Sequence, residues 1–271
     1  MVIHPLAEAL GAQVDDVDLS RLTPQDVEEM YRAFLQHKVL FFRDQTLSPE
    51  QHLALGRCFG ELEPAHPFFP RLVESDQVVV IETSRGHPPG ESFWHTDMTW
   101  QEIPPKCSIL HAQYVPEKGG DTLWCNMAAV FSSLPQSDKA RLRTMSALHG
   151  LHAFEGSRYD EQDDFGQSRI AQKSQAYPPI VRPMVTRHPE TDEEILFINE
   201  QFTRSVIGES DKESRALLDR LFAIARQVQF QVRFQWQAGS VAIWDNRVTQ
   251  HFAVTDYADQ PRKLHRVTVK G

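Results

Sequence analysis

Trp94-His95-Thr96-Asp97 places an imidazole and a carboxylate two residues apart. On an extended strand, residues at that spacing point to the same side and can reach one point in space. One imidazole and one carboxylate make up two-thirds of a 2-His-1-carboxylate facial triad, the arrangement that holds iron(II) and leaves open coordination positions. Alone, a His-x-Asp triplet is as readily a surface pair or a hydrogen-bonded histidine. A third ligand has to arrive from a distant part of the chain. His251 is the candidate, at the end of Trp244-Asp-Asn-Arg247-Val-Thr-Gln-His251. It follows the apolar run Ser240-Val-Ala-Ile-Trp244, from which a short turn would present it at a barrel mouth. A lone histidine in such a place is more often structural than a ligand.

The C-terminal segment adds weight. By strand alternation Arg262, Leu264, Arg266 and Thr268 share one face, and Lys263, His265 and Val267 share the other. Two guanidinium groups on the inner face of a barrel need counter-charges, because an unpaired buried charge costs several kcal/mol, roughly. Either acidic side chains supply them or a bound anion does. A planar guanidinium matches a carboxylate through two parallel hydrogen bonds.

The elements that would position these groups read as mainly β. Runs at Val78–Ile81, Ser108–Tyr114, Leu196–Asn199, Gln229–Trp236, Ser240–Trp244 and Lys263–Val269 are expected strands. They are separated by polar turns with few helices between them, the pattern of an antiparallel sandwich or barrel. Helices are expected from Thr23-Pro24 to about Gln36, after the capping box Ser48–Gln51 with Gly60 as its close, and after the capping box Ser210–Glu213. The last should pack outside the sheet on Ala216, Leu217, Leu221, Phe222 and Ala225. The polar stretch from Glu155 to Gln175 is either a solvated loop or a lid over the site.

The 271 residues and 41% hydrophobic content fit a single domain over 1–271, with no shift in composition to mark a linker. A net charge of -9 argues against nucleic acid as a partner. Cys58, Cys107 and Cys125 form neither a disulfide framework nor a zinc pattern, which points to a reducing, cytoplasmic setting. No signal peptide or membrane-spanning run is visible.

Five ordered motifs carry a resemblance: His95-x-Asp97; Gly119-Gly-Asp121-Thr122-Leu-Trp124; Trp244-Asp-Asn-Arg-x-x-x-His251; then Arg262 and Arg266, eleven and fifteen residues beyond His251. The chain resembles the taurine dioxygenase family of iron(II)- and 2-oxoglutarate-dependent enzymes, from Gly11-Ala-x-Val to Gly271. The resemblance implies a double-stranded β-helix, a cupin-like jelly roll with helices outside, and a homo-oligomer, dimer or tetramer. It implies Fe(II), 2-oxoglutarate as co-substrate and O2, acting on a C–H bond of a small anionic substrate such as a sulfonate. His95, Asp97 and His251 would bind iron. Thr122 and Arg262 would hold the distal carboxylate of 2-oxoglutarate. Arg266 would meet its other carboxylate or the anionic head of the substrate. His66, Phe69, Glu91, Met98 and Phe202 would line the substrate pocket, His66 at a sulfonate-binding position and Phe202 as an aromatic wall.

Two positions depart from the taurine-specific pattern. Phe69 stands where a tyrosine is expected, and Glu91 where an asparagine is expected. Both partners of a substrate amine are thereby changed, so alkyl sulfates, aryloxy acids and amino-acid-derived carboxylates stay open beside sulfonates. A zinc hydrolase with the same three ligands would leave the paired arginines and Thr122 without a purpose. A non-catalytic jelly-roll binding protein would have no reason to keep the triad. His4, His37, His52, His87 and His188 read as surface or loop residues, and His149 and His152 as structural. Cys107 and Cys125 read as small core residues, and Trp94, Trp124 and Trp244 as packing around the site.

Overall fold

The computed structural model describes residues 1–64, 66–85, 87, 89, 92–155, 160 and 168–271. In chain order the elements are β1 (Val2–Pro5), β2 (Ala12–Asp15), α1 (Pro24–His37), β3 (Val39–Phe42), α2 (Pro49–Arg57), β4 (Val79–Thr83), β5 (Cys107–Tyr114), β6 (Thr122–Asn126), α3 (Met127–Ser133), α4 (Gln136–Leu142), β7 (Ser146–His149), α5 (Arg169–Ala176), β8 (Ile180–Pro183), β9 (Val185–Arg187), β10 (Glu194–Leu196), β11 (Thr203–Val206), α6 (Asp211–Ala225), β12 (Gln231–Phe234), β13 (Val241–Asp245), β14 (Thr249–Ala253) and β15 (Arg262–Val269).

Two sheets build the jelly roll. The larger has the order β1-β2-β3-β13-β5-β15-β4, and the smaller, facing it, is β12-β6-β14. Every pairing is antiparallel except β2 with β3. A reciprocal pair of backbone hydrogen bonds between His95 and His251 (3.0 and 2.8 Å) adds one more rung beside β14.

The strand sequences explain the layers. Val39-Leu-Phe-Phe42 is apolar at every position because β3 is covered on both faces. Phe41 points between the sheets, where it stacks on Phe234 at 4.2 Å and meets Trp124 edge-on at 5.3 Å. Leu110, Trp244 and Leu264 complete that inter-sheet core. Leu40 and Phe42 point the other way, with Ile109, Ile243 and Val267, against Met30 and Phe34 of α1 and Leu53 and Leu55 of α2. Behind the smaller sheet, α6 packs Leu217, Leu221 and Phe222 with Val130 and Phe131 of α3.

The caps of α1, α2 and α6 form as the sequence predicts, with Thr23, Ser48 and Ser210 accepting from the third residue of each helix, and α1 also has a capping box that was not predicted, closed by Asp26. Several boundaries differ. Helix α2 ends at Arg57 with Cys58 as its cap, so Gly60 (φ 148°) serves the following turn. Leu196–Asn199 is strand only as far as Leu196, because Asn199 turns the chain through its bond to the Phe202 N–H (2.8 Å). Gln229–Phe230 belongs to a 3-10 turn ahead of β12. The polar stretch predicted to be without structure carries α5, whose Ile170 is fully buried. Residues 156–159 and 161–167 of the expected lid lie outside the described residues.

Candidate functional site

His95, Asp97 and His251 converge, with one ligand atom from each lying within 4.8 Å of the others. The route differs from the expected one. His95 sits on the isolated rung beside β14, but Asp97 lies in the turn that follows, not on a continuing strand. Met98 adopts φ 52°, a left-handed conformation uncommon for a side-chain-bearing residue, and helps to turn the chain there. His251 is carried in the middle of β14, paired with Trp124, where a turn had been expected to present it.

Asp97 is held from several sides. Asn246 accepts from its backbone N–H (2.8 Å) and donates to its carbonyl (3.1 Å) and to that of Pro105 (3.1 Å). Ser108 Oγ donates to Asp97 Oδ2 (3.0 Å). Oδ1 faces the imidazoles, 3.6 Å from His95 Nε2 and 3.9 Å from His251 Nε2, with Arg266 Nη1 at 3.3 Å. Burial alone would raise the Asp97 pKa, but the nearby Arg266, His251 and His95 and the Ser108 hydroxyl hold it well below the usual carboxylate range. Burial pushes His251 down to about 3 and lowers His95. The site therefore offers two neutral imidazoles and one carboxylate at neutral pH, the donor set a divalent cation needs. His95 Nδ1 lies 2.8 Å from the Phe93 carbonyl, which fixes the ring with Nε2 toward Asp97.

The asparagine that clamps Asp97 is itself anchored. It follows Asp245, which is fully buried and bonded to His188 (2.9 Å) and Arg247 (2.7 Å). Arg247 continues to Glu190 (2.5 Å), and Glu190 accepts from the Tyr31 hydroxyl of α1 (2.7 Å). His188, in a loop, and His52, in α2, are thus both buried, where a surface or loop setting was expected. His52 lies between α2 and β5, with Nε2 3.1 Å from the Ile109 carbonyl. His149 is buried and structural as expected, its ring bonded to Thr99 behind the Asp97 turn (2.9 Å).

A cavity of about 610 Å³ opens from the triad between the two sheets. At one end lie Thr122, Tyr257 and Arg262; at the other His66, Phe69, Met98, Phe154 and Phe202; Arg266 stands between them. Glu91, predicted to line the pocket, lies outside the described residues.

Arg262 and Arg266 resolve differently. Both are buried on the cavity face of β15. Arg266 has an acidic partner, Asp97, and its guanidinium also lies 5.2 Å from the centre of the Phe69 ring. Arg262 has no carboxylate within ion-pair distance among the described residues. Its Nη2 donates to the Gly120 carbonyl (3.3 Å), its Nε has no hydrogen-bond partner among the described residues, and Tyr257, with its ring centre 5.8 Å away, hydrogen-bonds the guanidinium. Burial lowers its pKa and the neighbouring Tyr257 and Asp121 oppose that, and a guanidinium stays protonated in proteins, so it is a buried cation. Gly120 must be glycine here. Its φ is 71°, and a Cβ would sit 3.3 Å from Arg262 Nε. Thr122 Oγ1 accepts from Trp236 Nε1 (2.9 Å), which leaves its own hydroxyl hydrogen to donate toward the cavity. A buried guanidinium without an ion-pair partner and an O–H donor lining one cavity make a receptor for an anion, a carboxylate above all.

Sequence reasoning brought together the triad, Thr122, both arginines and the pocket aromatics. It assigned no role to Ser108, Asn246, Tyr257 or Trp236. Asn246 lay inside a quoted motif and could have been found there; Ser108 is one small residue in an apolar strand, with no signal of its own.

The sequence model of the "Taurine catabolism dioxygenase TauD, TfdA family" matches residues 3–268. The chain is 34% identical to an alpha-ketoglutarate-dependent sulfate ester dioxygenase of Pseudomonas putida, over 99% of this chain and 89% of that protein. It is 33% identical to an alkylsulfatase of Acinetobacter baylyi, over 99% and 84%. A crystal structure described as a putative alpha-ketoglutarate-dependent taurine dioxygenase from Burkholderia xenovorans superposes with a TM-score of 0.84 at 35% identity, covering 100% of this chain and 89% of that one. The chain belongs to the taurine catabolism dioxygenase TauD, TfdA family. It is thus an oxidoreductase that uses iron(II), 2-oxoglutarate and O2.

Proposed function

We propose that His95, Asp97 and His251 hold the iron, that Thr122 and Arg262 hold the distal carboxylate of 2-oxoglutarate, and that the prime substrate is an organosulfur anion on an apolar chain, an alkyl sulfate ester before taurine. The observation that carries the co-substrate assignment is Arg262, a buried guanidinium lining the same cavity as Thr122 and without a carboxylate partner among the described residues. Bound together, iron and 2-oxoglutarate supply an O2-driven hydroxylation of a C–H bond, with release of succinate and carbon dioxide. The protein supplies placement and dryness. Neutral His95 and His251 present their lone pairs, Asp97 stays ionised, and the walls of Trp244, Leu110 and Leu264 keep water from the reacting centre.

The substrate end supports the apolar reading. Phe69, Met98, Phe154 and Phe202 give it hydrocarbon walls, and Phe69 brings no hydroxyl to hold an ammonium group. His66 and Arg266 flank the Phe69 ring and provide the polar corner for a sulfur oxyanion. The names of the two relatives above, a sulfate ester dioxygenase and an alkylsulfatase, agree with that chemistry. Hydroxylation of the carbon bearing a sulfate ester gives a hemiacetal-like product that collapses and releases sulfate.

Succinate formation measured across alkyl sulfates, alkanesulfonates, aryloxy acids and taurine tests this reading. A medium-chain alkyl sulfate should give the highest kcat/KM, with sulfate released in step with succinate. Taurine as the best substrate would overturn the assignment. We further infer one catalytic domain over 1–271 and a cytoplasmic homo-oligomer. The three unpaired cysteines support a reducing setting, and family resemblance alone supports the oligomer. Among the described residues no helix is long and apolar enough to cross a membrane.

A further inference from the structure

We propose that Ser108 is a positioning residue for the metal site, holding Asp97 so that it offers a single oxygen to the cation. The inference rests on the reading of Asp97 as a metal ligand.

The two oxygens of Asp97 have separate surroundings. Oδ1 faces His95 Nε2, His251 Nε2 and Arg266 Nη1. Oδ2 accepts from Ser108 Oγ at 3.0 Å. A carboxylate turns readily about its terminal torsion, which has a broad two-fold profile. Neither Asn246 nor Arg266 fixes that rotation through Oδ2. Asn246 grips the Asp97 backbone, and Arg266 reaches Oδ1, the oxygen a cation would need. Ser108 therefore sets the plane of the carboxylate, and it engages one oxygen so that the group does not chelate through both.

Ser108 can do this because its own position is fixed. It is fully buried in β5, opposite Trp244 of β13 on one side and Thr268 of β15 on the other. Asp97 lies in a turn, so the hydroxyl ties a turn-borne ligand to the central strands of the larger sheet. Its O–H also donates to the ionised carboxylate, favouring the form that binds metal. Partners of this kind contribute roughly 10–100-fold to metal affinity.

The test is Mn(II) binding to protein stripped of metal by chelation, with the unfolding midpoint of the metal-free form recorded alongside. Ser108→Ala should weaken Mn(II) binding roughly 10–100-fold, with the variant still folded, and Ser108→Thr, which keeps the hydroxyl, should restore it. Unchanged or tighter binding by Ser108→Ala would overturn the proposal. Asp97→Ala separates the two readings: if it too binds Mn(II) normally, the ligand assignment has failed. If only Asp97→Ala loses binding, the role of Ser108 alone has failed. Should Ser108→Ala not fold, Ser108→Cys carries the same comparison with a weaker donor of similar size.

Discussion

Replacing Arg262 by methionine should have opposite effects on the two states of the enzyme. The residue is 6% exposed, its guanidinium meets the Gly120 carbonyl at 3.3 Å and the Tyr257 hydroxyl, and its Nε has no partner among the described residues. Without co-substrate it is a buried charge that the fold stabilises poorly, and hydrophobic groups of similar volume often replace such charges at no loss or with a gain of about 1–4 kcal/mol. Metal-free Arg262→Met should therefore unfold at the same denaturant concentration as the native chain or a higher one. With 2-oxoglutarate bound, the same guanidinium partners a carboxylate, and removing one member of a buried charge pair costs about 2–5 kcal/mol. At about 1.4 kcal/mol per tenfold, the requirement for 2-oxoglutarate should rise roughly 30-fold to several thousand-fold. Urea unfolding of the metal-free protein and the 2-oxoglutarate dependence of succinate release measure the two effects separately. A variant that unfolds far more easily while keeping its 2-oxoglutarate requirement would show that Arg262 is a structural cation and refute the reasoning.

Asn246→Ala removes three buried hydrogen bonds around the Asp97 turn and should destabilise the protein by about 2–4 kcal/mol, read from urea unfolding. Asp245→Ala strips His188 and Arg247 of a fully buried partner and should cost about 3–5 kcal/mol by the same measurement; a loss under about 1 kcal/mol would mean that Glu190 alone can hold the network. His52 and His149 are buried, and burial lowers both to about 3 from an ordinary 6.5. The unfolded chain binds the protons first, so this stability is present above pH 6.5 and is lost as pH falls from there toward 3. The two together contribute a slope of at most about 2.7 kcal/mol per pH unit, and His52→Gln should flatten the measured dependence. Phe69→Tyr restores a hydroxyl in the substrate pocket and should raise taurine turnover relative to an alkyl sulfate; an unchanged ratio would place the determinant elsewhere.

What the sequence showed and what it hid have physical causes. Alternation along Arg262–Thr268 placed both guanidinium groups on one inner face, because strand periodicity holds wherever a sheet is buried on both sides. It did not say which would find an acid, since Asp97 comes from a turn 169 residues away. The helix caps at Thr23, Ser48 and Ser210 were legible because they are local chemistry. Strand β14 was not: Thr249-Gln-His-Phe-Ala lacks an apolar alternation, and its place beside β6 is set by long-range pairing. His188 and His52 looked like surface residues because burial of a polar side chain depends on a distant partner, Asp245 in one case and the Ile109 carbonyl in the other.

Anaerobic addition of iron(II) and 2-oxoglutarate to the metal-free protein, followed by visible absorption, tests the triad and the co-substrate end together. The native chain should develop a weak charge-transfer band that saturates with both components present. Asp97→Ala should develop none, and Arg262→Met should need far more 2-oxoglutarate to reach it. No band from the native chain, or an equal band from Asp97→Ala, would contradict the assignment of His95, Asp97 and His251 as the iron site.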